Sequence, residues 1–256
     1  METPVEQGCN VTPELLAPVL KAHPEAKAVF TTYNETSTTA LADIRGCAAL
    51  VRHTDNLLVV DAVSALVAEP MQMDDWGVDV LLTSSQKALA LPPGLGFIAF
   101  SEKAWSTVEK QSCRSMYFDA KAYEREWPRH QSPYTSSLAV LLQLQWRLQR
   151  IRLEGLGAIQ TRYAKLTTKL RDGLAALGCT FPTEVMGNST TAARVPDNID
   201  AALFTQKLRV EEGISIGAPY PGQSVVRIGN FGAIGEPEIA LCLERMSKIL
   251  QELRRS

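Results

Sequence analysis

The sequence predicts an α/β protein, a mostly parallel sheet followed by a smaller α+β unit. Between residues 26 and 101, short apolar runs alternate with amphipathic stretches, the pattern of βαβ units feeding a sheet covered on both faces. Past residue 101 the pattern changes to long helical periodicities interleaved with short strands. A length of 256 residues, 45% hydrophobic and 21% charged, gives room for two compact domains or one large one and excludes a disordered or disulfide-stapled chain.

Taken in order, AKAVFTT (26–32), NLLVVD (56–61), VDVLLTS (78–84) and GFIAFS (96–101) are the expected strands of the first unit. Between the first two, residues 41–52 place Leu41, Ile44, Ala48, Leu50 and Val51 at helical spacing. Asp43 falls in the first turn, where a carboxylate faces the positive end of the helix dipole, and this helix is the crossover. EKAWSTVEKQ is a short helix, residues 113–134 are polar and aromatic, and SSLAVLLQLQWRLQRIRLEG is a long apolar helix. A second helix, 158–177, stops at Gly178. The remainder reads as a strand (191–195), a helix (201–212) with Asp200 as N-cap, a short strand (214–216), a strand (224–229) and a terminal helix from Glu236. A domain boundary at 150–156 divides the chain into 1–150 and 151–256.

Charge and cysteine usage narrow the function classes. Twenty-six Lys and Arg against 28 Asp and Glu leave a net charge of -2, with no basic excess for a phosphate backbone, so nucleic acid is not an expected partner. Five cysteines spread along the chain without a CxxC pair fit thiols kept reduced in a cytosol, and three scattered histidines build no metal site. Apolar runs stop short of the roughly 20 residues a membrane span needs. The opening METPVEQGCN has neither a basic nor an apolar signal region. The expectation is a soluble, cytoplasmic chain with no membrane partner.

The residues that could carry chemistry cluster at strand ends. In SSQKALALPPGLG, Lys87 directly follows an apolar strand, and ligands in open α/β sheets collect outside the carboxyl ends of strands. A lysine there is either a solvated loop residue or, partly desolvated, an amine of lowered pKa able to form a Schiff base with an aldehyde. Asp61 closes NLLVVD at the same edge. It is either a turn or capping aspartate or the partner of a cation such as a protonated pyridine nitrogen. The first strand ends in TTYNETSTTA, by itself a loop of turn formers. Three polar strand ends converging on one edge carry more weight than any one of them.

NETST, LLVVDAVSAL, DDWGVDVLLTSSQKALALPPGLGFIAFSEKAW and VVRIGNFG, in that order, resemble class V pyridoxal-phosphate aminotransferases of the alanine–glyoxylate and serine–pyruvate type, along essentially the whole chain. The resemblance implies a fold-type I large domain followed by a small domain, with pyridoxal 5′-phosphate as cofactor. It implies transamination between a small amino acid, alanine or serine, and a 2-oxo acid, glyoxylate or pyruvate, by a homodimer. Lys87 would be the Schiff-base lysine, moving a proton between Cα and C4′, and Asp61 would hold the pyridine nitrogen protonated. Val63 would pack on the ring, Gln86 would lie beside its phenolic oxygen and phosphate, and Thr36 would offer a hydroxyl near the ring. Arg227 would bind the substrate carboxylate. In RHQSPYTSS, Ser132 would replace a threonine and Arg129 would stand where some members have a tyrosine, both reaching the neighbouring subunit's cofactor phosphate.

There are departures from the family pattern. Family members carry a segment ahead of the point where this chain starts, with a glycine- and serine-bearing phosphate loop and an aromatic that stacks on the ring. METPVEQGCNVTPELLAPVLKAHPEAK corresponds to the helix before the third motif strand. The expectation is therefore an incomplete large domain with an uncovered sheet edge and an exposed apolar face. Thr39, Ala40 and residues 66–68 also depart from the usual glycines and aliphatics of two loops. Two alternatives stand beside the transaminase: a catalytically impaired fragment acting as a dimerising or binding module, and another class V enzyme such as a lyase. The Gly94, Gly96, Ala99 pattern precedes its strand instead of following one, which argues against a dinucleotide fingerprint. Cys242 falls in the apolar stripe of the last helix, where a small core residue is expected instead of a desulfurase nucleophile.

Overall fold

In a computed structural model describing residues 5–220 and 222–255, the apolar runs of the first unit become one sheet. Strands β1 (Ala28–Thr32), β2 (Leu57–Asp61) and β3 (Val80–Ser84) are parallel, and β4 (Gly96–Phe100) closes the order β1-β2-β3-β4 antiparallel to β3. The register pairs Thr32 with Asp61 and Asp61 with Leu82, so the carboxyl ends of the three parallel strands share one edge. The first four residues of METPVEQGCN lie outside the described residues.

One face of the sheet is filled by helices. Leu16 and Leu20 of α1 (Pro13–Ala22), Ile44, Ala48 and Val51 of α2 (Ile44–Val51), and Met73 and Trp76 of the single turn α3 (Met73–Trp76) pack on Leu58 and Val60. Helix α2 starts later than its hydrophobic periodicity suggests. Leu41 is held in a bridge with Asn34, and Asp43 becomes the N-cap, its carboxylate accepting from the Gly46 N–H at 2.8 Å. Among the described residues the opposite face meets only α4 (Glu102–Lys110), through Ala104 against Val59 and Val80. Phe30 is 78% exposed and Ile98 53%, and among the described residues β1 has no strand on its outer side.

The polar and aromatic stretch 113–134 contains α5 (Ala120–Glu126), started by Asp119 as N-cap, and a short 3-10 turn. Then come α6 (Leu138–Glu154) and α7 (Leu156–Ala176), joined at Gly155. Helix α7 serves two cores. Ile159 and Tyr163 pack with Ala88 and Leu89, whereas Leu166, Leu170 and Leu174 pack with the second unit. There, β5 (Thr190–Arg194) and β6 (Val225–Gly229) form an antiparallel pair, and α8 (Ala201–Glu212) and α9 (Glu236–Leu253) enclose Phe204, Leu208, Met246, Ile249 and Leu250. The expected strand at 214–216 is a correction. The chain leaves α8 through Gly213 (φ 69°), the Ile214 N–H bonds back to the Leu208 carbonyl, and only Gly217 reaches β6, in a single bridge to Arg227. Asp200 caps α8, accepting from the N–H groups of Ala202 (2.8 Å) and Leu203 (3.1 Å). Asp200→Ala is expected to cost about 1 kcal/mol, read as a lowered urea midpoint at constant m-value.

Candidate active site

The loop after β3 presents Lys87 because the turn on either side of it is pinned. The Ser85 hydroxyl donates to the Pro92 carbonyl (2.7 Å) and accepts from the Leu95 N–H (3.3 Å), closing the loop across Pro92 and Pro93. The Ala90 N–H bonds the Lys87 carbonyl at 2.7 Å, and Arg147 of α6 donates to the Leu89 carbonyl at 3.1 Å. None of these bonds uses the lysine side chain. The half-buried Lys87 amine lies 5.4 Å from the ring centroid of Phe231. Burial, and secondly the charge of Arg227, hold its pKa below the usual lysine value, with Asp61 acting in the opposite direction. Lys87, Asp61, Arg227 and Phe231 thus form one electrostatic and packing neighbourhood, drawn from β2, the loop after β3, β6 and the segment following it.

Asp61 ends β2 with its carboxylate accepting from the Val63 N–H at 2.8 Å, and both Asp61 and Val63 are half-buried. Arg227 pairs across the sheet with Ala192, donates to the Ala218 carbonyl at 2.7 Å, and lies 4.2 Å from the Tyr220 ring centroid. Neither Asp61 nor Arg227 enters an ion pair among the described residues. The Thr36 hydroxyl shares a 2.8 Å hydrogen bond with Ser64, and Gln86 is exposed beside Lys87. Arg129 and Ser132 take different partners. Arg129 pairs with Glu126 at 2.9 Å, while Ser132 bonds the Tyr134 carbonyl (2.6 Å) and the Ser136 hydroxyl (2.9 Å), none of which belongs to the Lys87 neighbourhood.

Phe231 had no role assigned from sequence, although it lies inside VVRIGNFG. Its place depends on Gly229, where an added Cβ would come within 2.8 Å of the Phe231 ring. Sequence reasoning also missed a buried polar seam behind the site. Asn34, 1% exposed, donates to the Ser64 carbonyl (3.3 Å) and the Ser189 hydroxyl (3.2 Å), and Ser189 donates to the same carbonyl. The polarity of NETST was its signal, yet the partners lie far along the chain. Cys242 is buried in the second core beside Met246, its thiol pushed up to about 11 by burial. Among the described residues no cluster of His, Cys, Asp and Glu could hold a metal, and no helix is long and apolar enough to cross a membrane.

Residues 2–233 match the family model described as Aminotransferase class-V, and the chain belongs to that family. It is 35% identical to serine–glyoxylate aminotransferase of Arabidopsis thaliana over 235 residues, 89% of this chain and 59% of that protein. The crystal structure of alanine–glyoxylate aminotransferase from Nostoc sp. superposes with a TM-score of 0.90 at 25% identity, covering 95% of this chain and 66% of that one. Pyridoxamine–pyruvate aminotransferase from Mesorhizobium loti gives 0.89 at 27% identity, covering 100% and 67%. These likenesses give the chain an α/β fold of the fold-type I aminotransferase kind, and it spans 56% to 66% of the length of curated relatives it matches.

Proposed function

We propose that the chain holds pyridoxal 5′-phosphate through Lys87 and works in transamination between a small amino acid, alanine or serine, and a 2-oxo acid, glyoxylate or pyruvate. The observation that carries the reading is the Lys87 amine, half-buried against Phe231, of lowered pKa, with the unpaired charges of Asp61 and Arg227 acting on it. These residues fit the cofactor. A lysine of depressed pKa is neutral in a larger fraction near pH 7 and can attack an aldehyde carbon. The Asp61 carboxylate has no cation of its own among the described residues and suits a protonated ring nitrogen. Names of relatives support the substrate class: serine–glyoxylate, alanine–glyoxylate and pyridoxamine–pyruvate aminotransferases.

When bound, the cofactor supplies an electron sink for the pair released as the substrate Cα proton leaves. Lys87 would take up that proton as base and give it back as acid. Asp61 holds the proton on the ring nitrogen by its charge, and Phe231 keeps water from one side of the amine. Arg227 receives the substrate carboxylate in its planar fork. Val63, Gln86 and Thr36 are assigned to the cofactor ring and its substituents. Arg129 and Ser132 are assigned to the phosphate held by the second subunit of a homodimer. The exposed Met116, Phe118, Trp127 and Trp146 support such an association. The free thiols support a cytoplasmic setting, and the boundary at residue 150 separates the cofactor unit from the small one.

The test is direct. With added cofactor, alanine and glyoxylate should yield pyruvate and glycine, and a chain that neither takes up cofactor nor forms these products sinks the reading. Arg227→Ala is expected to raise KM for amino and oxo acids alike by about tenfold to a hundredfold, the worth of a charge-assisted bond of roughly 1.5–3 kcal/mol. Because Arg227 is one cause of the low Lys87 pKa, the same variant moves that pKa upward. Normal KM values with altered cofactor absorbance would assign Arg227 to the cofactor instead.

A further inference from the structure

The place of Arg227 relative to Lys87 depends on how β5 is fastened, since β5 carries β6 beside it with Ala192 opposite Arg227. The tripeptide leading into β5, Gly187-Asn188-Ser189, is gripped from both units. The Gly187 N–H donates to the Thr39 carbonyl at 3.0 Å, and its own carbonyl accepts from Arg171 of α7. An added Cβ at Gly187 would come within 2.4 Å of the Asn34 amide, so the approach is as close as a backbone allows. The Asn188 carbonyl accepts from Thr167 (2.7 Å) and Asn230 (3.0 Å). Asn230 precedes Phe231, and its own N–H bonds the Ser189 carbonyl at 3.1 Å.

At the centre is Glu69, on the loop that follows β2. Only 3% exposed, it accepts from the Asn188 N–H with one carboxylate oxygen and from the Asn188 side-chain amide with the other, at 3.2 Å. Gln160 of α7 donates to its backbone carbonyl at 3.1 Å. The charged and titratable groups acting on it are Arg171 and Tyr33. Burial raises the Glu69 carboxyl pKa and lowers the Arg171 guanidinium to about 10. A hydrophobic side chain could fill this space without the cost of desolvating a carboxylate. What it could not do is fix the Asn188 peptide at one distance and orientation.

We propose that Glu69 is a positioning residue that clamps Asn188 to the large unit and, through β5 and β6, sets where Arg227 stands relative to Lys87. The inference rests on the reading of Lys87 and Arg227 as parts of one site, but its test needs no turnover. In the cofactor-free full chain, the pH dependence of Lys87 acylation by acetic anhydride reports the amine's surroundings, which are Asp61, Arg227 and Phe231. Hydrogen exchange of peptides spanning 187–194 reports the clamp.

In Glu69→Leu, Arg227 draws back, so the Lys87 midpoint is expected to rise by about half a pH unit or more. Exchange in 187–194 should quicken about tenfold or more. Glu69→Gln keeps an acceptor for the Asn188 N–H and should recover more than half of both effects. Faster exchange with an unmoved Lys87 midpoint would make Glu69 merely structural and overturn the proposal, as would no change in either measure. If Glu69→Leu does not fold, Glu69→Asp, one methylene short of Asn188, is read by the same two measures and the same criteria. Failure to take up cofactor would sink the transaminase reading while leaving both measurements able to decide the clamp.

Discussion

Lys87→Ala is expected to abolish transamination, lowering the steady-state rate with alanine and glyoxylate by about four orders of magnitude or more. On the proposed reading two functions would go with one amine, the covalent hold on the cofactor and the proton transfer, and positioned acid–base catalysis alone contributes about 10²–10⁴-fold. The fold should survive. The loop around position 87 is held by Ser85, the Ala90 N–H and Arg147, none of which bonds the lysine side chain. The substitution removes one cation–π contact with Phe231, worth about 0.5–1 kcal/mol at a partly exposed site. The paired measurement is borohydride reduction of the cofactor-loaded chain, which should fix the label on the peptide carrying Lys87 and leave the variant unlabelled. Equal labelling of Lys87→Ala, or a rate within about a hundredfold of the unsubstituted chain, would move the chemistry to another lysine.

The parts of this arrangement that were legible in the sequence are those set by local rules. NLLVVD and VDVLLTS announce strands because their residues are apolar in runs too short for a helix, and parallel pairing puts Asp61 and the loop of Lys87 at one edge without further information. Asp200 was readable as a cap because capping is decided within three residues. Phe231 was not readable as the floor under Lys87, because that contact joins positions 144 residues apart through the packing of the two units, and no periodicity encodes it. Likewise TTYNETSTTA looks like a loop of turn formers, and only the fold reveals that Asn34 and Thr36 reach Ser64 and Ser189. Ile214 and Ile216 have the composition of a strand but pack into the second core instead, since Gly213 turns the chain before a ladder can form. Glu69 directly follows residues 66–68, which depart from the family's usual loop, and nothing local distinguished it from a surface carboxylate.

Asp61→Asn is the sharper test of mechanism, because it removes a charge and almost nothing else. The asparagine carbonyl can still accept from the Val63 N–H, so the turn that closes β2 keeps its bond. The half-reaction with alanine is expected to slow by roughly a hundredfold or more, the scale seen when a single fixed electrostatic partner is taken from a developing charge. Cofactor retention should change far less, since Lys87 remains to hold it. The variant also shifts Lys87 in a known direction. Asp61 is the one charge that raises the Lys87 pKa, so its neutralisation should lower the midpoint of Lys87 acylation in the cofactor-free chain, whereas Arg227→Ala raises it. Opposite shifts from the two variants would establish that both charges act on the amine. A near-normal half-reaction in Asp61→Asn, even with the expected shift at Lys87, would remove Asp61 from the electron sink and leave it as the residue that turns the chain at the end of β2.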